Sequence, residues 1–168
     1  MASNSEMLKI AIKYKPDFVC IVPEKRNEVT TEGGLNLKRH KNKLKSTINI
    51  LNKHKIRTSL FINPTKSDIK ISKSLKARCI ELHTGKISNQ IKKNKKFNNH
   101  LKIIKHCAKY AKSLRLEVHA GHGMDYKTAK ILSKVKEIEE FNIGHFIIGE
   151  SIIFGLKKTI GRFKRILK

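Results

Sequence analysis

Hydrophobic positions along this chain fall into two kinds of pattern, spaced stripes and short unbroken runs. Leu8, Ala11 and Ile12 recur at helical spacing behind Ser3-Asn4-Ser5-Glu6, whose Ser-x-x-Glu spacing is that of a capping box, and Pro16 stops the helix. Residues 18–22 (Phe-Val-Cys-Ile-Val) follow as a continuous apolar strand. Leu44, Ile48 and Leu51 place one face of a helix over about 40–54, and residues 58–63 read as a second strand closed by Pro64. A helix near 66–76 leads to a third strand at 79–83. The basic, Asn-rich stretch 86–99 reads as a loop. Leu101, Ile104, Ala108 and Ala111 mark a strong amphipathic helix. A fourth strand at 116–120, a short helix near 126–135 and a fifth strand at about 141–143 come next, and Gly144-His145 opens a terminal helical region ending in Lys168.

The series is one helix followed by five strand–helix units, which specifies α/β architecture with a parallel sheet and right-handed crossovers. Strands that are apolar throughout suit a sheet buried on both faces. A doubly wound open sheet and a barrel both meet these requirements. No linker or shift of composition divides residues 1–168, so a single domain is expected. The first helix starts almost at Met1 with no strand before it, so the chain reads as beginning in mid-unit.

Composition narrows the partners. At 168 residues, with 39% hydrophobic and 30% charged residues, the chain can bury one core and is not of disordered composition. No apolar run approaches the roughly 20 residues of a membrane span, and the N-terminus lacks the basic start and apolar stretch of a secretion signal. A cytoplasmic location without membrane contact is therefore expected. The net charge of +25 would attract polyanions. Its 31 Lys and 7 Arg, however, are spread along the whole chain, Trp is absent and aromatics make up 6%. That is poor material for base contacts and stacking. The abundance of Lys, Asn and Ile together reads as AT-rich codon bias, and no specific nucleic-acid partner is expected. Cys20, Cys79 and Cys107 are odd in number and widely spaced, which suggests small buried hydrophobes rather than a disulfide or zinc site.

Candidate chemistry gathers where parallel α/β proteins keep it, just beyond the C-terminal ends of strands. The first strand runs into Val22-Pro23-Glu24-Lys25-Arg26-Asn27-Glu28-Val29-Thr30-Thr31-Glu32-Gly33-Gly34. The third ends in Glu81-Leu82-His83-Thr84-Gly85, the fourth in Ala120-Gly121-His122-Gly123 and the fifth in Asn142-Ile143-Gly144-His145. Glycine-flanked turns on the last two strands, with Gly144-His145 at a helix N-terminus, suit phosphate, because backbone N–H groups and the helix dipole favour an anion. His122, between two glycines, is either an idle turn residue or an accessible proton donor titrating near neutral pH. Glu81 is a carboxylate inside an apolar strand, so it is either a structural ion pair with Lys or Arg or a functional acid. His83, His119 and His145 read as satisfied polar groups, and no metal-ligand spacing occurs, so no metal site is expected.

Taken together, these segments resemble the pyridoxine 5′-phosphate synthase family. The stretch from Val22 to Leu35 matches its most distinctive motif, and the three later strand ends recur in the same order at similar spacing. The resemblance implies a TIM (β/α)8 barrel with extra helices, assembled into a homo-octamer. It implies condensation of 1-deoxy-D-xylulose 5-phosphate with 3-amino-2-oxopropyl phosphate to pyridoxine 5′-phosphate, phosphate and water, a step of vitamin B6 synthesis needing no cofactor. By the same resemblance Thr30 would bind substrate, Glu81 would stabilise the transition state, and His122 would donate a proton. Gly123, Gly144 and His145 would hold substrate phosphate. Met1 would fall at the end of the family's third strand. The chain would then be the C-terminal two-thirds of an incomplete barrel, without the first three strands and several catalytic and phosphate-binding groups, and with little activity alone. The alternative from another class is a basic nucleic-acid-binding or scaffold protein on a degenerate half-barrel, which salt-resistant binding through a localised patch would reveal. Another phosphate-binding barrel enzyme is disfavoured by the Thr30–Gly34 region.

Overall fold

A computed structural model describes residues 1–23 and 33–167. Its elements run α1 (Ser5–Tyr14), β1 (Phe18–Ile21), α2 (Lys41–Lys53), β2 (Arg57–Ile62), α3 (Lys66–Ser74), β3 (Cys79–His83), α4 (Gly85–Lys92), α5 (Asn98–Ser113), β4 (Glu117–Gly121), α6 (Tyr126–Leu132), β5 (Glu140–Asn142), α7 (His145–Phe154) and α8 (Leu156–Ile166). The five strands are all parallel and lie side by side in chain order. A doubly wound sheet reverses its strand order at a switch point. This one does not, so every crossover steps the same way.

The sheet is curled. In a flat sheet β1 and β5 would lie roughly 19 Å apart, four inter-strand spacings. Here Cys20 on β1 and Asn142 on β5 both hydrogen-bond the Glu81 carboxylate on the central strand. Phe18 on β1 likewise meets His119 on β4, ring centroids 5.4 Å apart. Alternation along each strand then separates two environments. The convex face carries Ile21, Leu60, Ile62, Ile80, Leu82, Val118 and Ala120, all buried in the main core with the helices. On α5, Ile104, Cys107, Ala108 and Ala111 form the buried stripe. Each fully buried Leu or Ile contributes about 1.5–3 kcal/mol.

The concave face corrects the expectation of strands apolar on both sides. It carries Ser59, Cys79, Glu81, His83, Glu117, His119, Glu140 and Asn142 between its few apolar groups. Curling lets Cys20 and Asn142 satisfy Glu81 across the hollow, so burial there does not require apolar side chains. Other departures are local. The first helix is capped by Asn4, whose Oδ1 accepts from Met7 N–H at 2.9 Å, and not by Ser3. The Ser3 hydroxyl instead pairs with Thr47 of α2 at 3.0 Å. The stretch read as a loop contains α4, with Ile87 and Ile91 buried one turn apart. The terminal region is two helices broken at Gly155, φ 80°. No helix among the described residues is long and apolar enough to cross a membrane.

The helix-to-strand turns share a device. Lys55, Lys76 and Arg115 follow α2, α3 and α5 in the left-handed conformation, φ 57–62°. Glycine is the usual occupant of that position, and an L-residue there costs about 1–2 kcal/mol, partly offset by the unfolded-state entropy that glycine would add. Exposed Lys76→Gly should therefore raise the calorimetric Tm by about 1–4 °C. A lower Tm would show that the Lys76 side chain contributes more than its backbone costs.

Candidate active site

Glu81 sits at the centre of the hollow, 8% exposed. Its Oε2 accepts from Asn142 Nδ2 at 2.8 Å and from Cys20 Sγ at 3.3 Å. Gly121 on β4 provides the space for Oε1, since a Cβ added there would overlap that oxygen. Burial raises the Glu81 pKa above the ordinary carboxylate range, opposed by the hydrogen bonds from Cys20 and Asn142. Burial, and then the neighbouring Glu81, push the Cys20 thiol far up, so it stays a neutral donor. The structural ion pair with Lys or Arg that the sequence left open is not formed among the described residues. Neutral donors hold this carboxylate, which leaves its charge available to a ligand.

His122 begins the turn after β4 with φ 81°, followed by Gly123 at φ 76°. Two left-handed residues in succession turn the chain out of the sheet at the rim. A histidine tolerates this only where the surroundings hold it. Thr84 supplies that hold: its hydroxyl donates to the Gly121 and His122 carbonyls at 2.7 Å each. The exposed His122 ring stacks on buried His83, centroids 4.8 Å apart. Asp125 then caps α6 through Thr128 N–H at 2.7 Å.

Gly144 is the N-cap of α7 and, like His145, is exposed; no side chain among the described residues caps that end. The free first-turn N–H groups and the helix dipole make it hospitable to an anion. Glu81, His122, Gly123, Gly144 and His145 all line one cleft of about 1020 Å³ at the C-terminal rim of the strands. Thr30 lies outside the described residues. Lys92 and Glu150 also line the cleft, and sequence reasoning missed both. The Ile87–Ile91 spacing was the signal that would have revealed α4 and turned Lys92 toward the site.

At the opposite ends of the strands lies a second polar group. His119, 1% exposed, has Nε2 3.0 Å from Glu117 and Nδ1 3.7 Å from Glu140. Cys79, Glu117 and His119 bring potential ligand atoms within 4.8 Å of one another, a grouping the sequence spacing did not disclose. Arg57 already supplies a cation there, paired with Glu117 and donating to Cys79 Sγ at 3.7 Å. Cys79 is thus buried as expected, yet it is a hydrogen-bonded group in a charged network. Burial raises its pKa to about 11.

Comparison with known proteins bears on this geometry. The family model described as pyridoxal phosphate biosynthesis protein PdxJ matches residues 1–168. The chain is 64% identical over 163 residues to pyridoxine 5′-phosphate synthase of Pelagibacter ubique, covering 97% of this chain and 68% of that one. It is 46% identical to the enzyme of that name from Zymomonas mobilis, over 99% of this chain and 64% of the other. A Prochlorococcus marinus (strain NATL1A) synthase is 44% identical over 99% and 67%. The chain spans about two thirds of the length of these relatives.

Proposed function

Because the chain belongs to the pyridoxal phosphate biosynthesis protein PdxJ family, we propose that its cleft performs the chemistry of a pyridoxine 5′-phosphate synthase. The five strands would form an arc of a (β/α)8 barrel. The curl of the sheet supports this, as does a parallel bridge from Ala2 to Val22 beyond the β1 edge. In the proposed reaction 1-deoxy-D-xylulose 5-phosphate and 3-amino-2-oxopropyl phosphate condense, the pyridine ring closes, and phosphate and water leave.

The roles follow from physical character. Backbone N–H groups at Gly123, Gly144 and His145 would grip a substrate phosphate, with Thr30 as a further contact. Anchoring reactants by their phosphates holds them in attack geometry through several steps. Glu81, buried and without a fixed cation among the described residues, would stabilise positive charge developing on the amine during condensation. His122, exposed at the rim, would protonate departing oxygen. The observation that carries the proposal is the single cleft shared by Glu81, His122, Gly123, Gly144 and His145.

The test is turnover with both substrates, comparing wild type with His122→Asn, since asparagine tolerates the left-handed backbone. We expect kcat to fall about 10²- to 10⁴-fold, the usual worth of a general acid, with KM little changed. An unaltered kcat would remove His122 from the chemistry. The proposal extends to self-association, supported by α7, which leaves Ile148, Ile152, Ile153 and Phe154 exposed and buries none of its residues. Contiguous apolar surface of that kind commonly marks an interface.

A further inference from the structure

The His122 backbone is pinned by Thr84, but among the described residues no hydrogen bond orients its imidazole. Ring contacts do that. His83, the last residue of β3, is 4% exposed and lies under His122 with an interplanar angle of 27°. Phe61 of β2 meets the His83 ring edge-on, centroids 5.2 Å apart at 68°, and also touches His122 at 6.2 Å. Gly85 backs the pair: a Cβ there would lie 2.7 Å from His83 Cε1 and 3.0 Å from His122 Cδ2. The two imidazoles therefore occupy a slot bounded by Phe61 and by the start of α4. His83 has no hydrogen-bond partner for Nε2 among the described residues. A buried polar ring left unsatisfied is costly, which argues that the position serves something other than stability.

We propose that His83 is a positioning residue, the shelf that holds the ring of His122 at the cleft rim. The stack has a chemical consequence. Burial, then the nearby His122 and Lys86, lower the His83 pKa to about 4, so His83 is uncharged at neutral pH. A shelf that does not charge places no second positive charge beneath the His122 ring. Phenylalanine at 83 would provide the same flat face without a nitrogen, whereas alanine would remove it.

This inference rests on the synthase reading only for its effect on turnover; the ring geometry can be tested without it. The direct experiment is side-chain NMR of His122 in wild type, His83→Phe and His83→Ala, following ring order and contacts between ring protons. In wild type we expect a rigid His122 ring with contacts to His83 and Phe61. That order should persist in His83→Phe and fall to the flexible range, order parameter below about 0.6, in His83→Ala. A mobile His122 ring in wild type, or an equally rigid one in His83→Ala, would overturn the proposal. If His83→Ala does not fold, the wild-type contacts and the retained order in His83→Phe decide. In turnover assays His83→Ala should lower kcat about 10- to 100-fold, the cost of a misplaced group, with KM held and His83→Phe restoring most of the rate. Absence of turnover in every form, with the NMR pattern as expected, would count against the synthase reading and leave the shelf established.

Discussion

Gly121→Ala is expected to cut turnover at least about 10³-fold and to cost about 2–6 kcal/mol of stability. The added Cβ would overlap Glu81 Oε1. The carboxylate cannot simply retreat, because Asn142 and Cys20 hold its other oxygen. Turning it away would sacrifice both hydrogen bonds inside the hollow, about 1–3 kcal/mol for a buried group left unsatisfied, on top of about 1–3 kcal/mol for overpacking. Denaturant unfolding measures the stability term, and turnover should drop at least about 10³-fold, as when a transition-state contact is removed. A double-mutant cycle isolates the cause. In a Glu81→Ala background the same glycine replacement should cost less than about 1 kcal/mol, because the obstructing oxygen is gone. If Gly121→Ala cost as much with Glu81 removed as with it present, the clash would not be the reason for this glycine.

Glu81→Gln should do the opposite to stability while still destroying function. The folded state raises the Glu81 pKa, chiefly by burial, so folding favours the protonated form. The favourable contribution of that proton is complete below the unfolded-state pKa and is lost as pH rises through the folded value. Glutamine removes the dependence, because its amide stays neutral and its oxygen still accepts from Asn142. The Tm advantage of Glu81→Gln should therefore be near zero at acid pH below the carboxylate range, grow as pH rises through the folded value, and level off above it. At the plateau the variant should melt above wild type. Turnover should fall about 10²- to 10³-fold, because a neutral group cannot stabilise developing positive charge as a carboxylate does. A variant less stable than wild type at neutral pH would mean that the ionised carboxylate is better satisfied in the fold than its surroundings suggest. A stability cost at this position is what a functional buried charge produces.

Much of this was legible in the residues themselves, and what was not has definite physical causes. The strand–helix alternation follows from unbroken apolar runs such as Val19–Ile21 and from stripes such as Leu44, Ile48 and Leu51. The rim positions are legible because glycine clusters at Gly121-His122-Gly123 and Gly144-His145 signal turns, and turns after parallel strands face the ligand side. The character of the concave face was not legible. Cys20, Glu81 and Asn142 are separated by 61 residues on either side of the carboxylate, and only the curl of the sheet brings them together. Helix α4 was hidden because its exposed surface is Lys- and Asn-rich and only Ile87 and Ile91 betray its buried side. Ser3 had the spacing of a cap, but a tertiary partner, Thr47, claims its hydroxyl. The resemblance supplied the reaction and the role of Thr30, which geometry in the described residues does not address.

Backbone groups at the rim distinguish a phosphate-gripping cleft from a merely basic surface. The most direct measurement is an amide NMR titration of the chain with 1-deoxy-D-xylulose 5-phosphate at physiological salt. Saturable shifts centred on Gly123, Gly144 and His145 are the expected result, and they should weaken in Gly121→Ala. Shifts spread instead over the Lys-rich helix surfaces, or centred on Arg57, Arg78 and Arg115 at the opposite rim and erased by added salt, would contradict the proposed site.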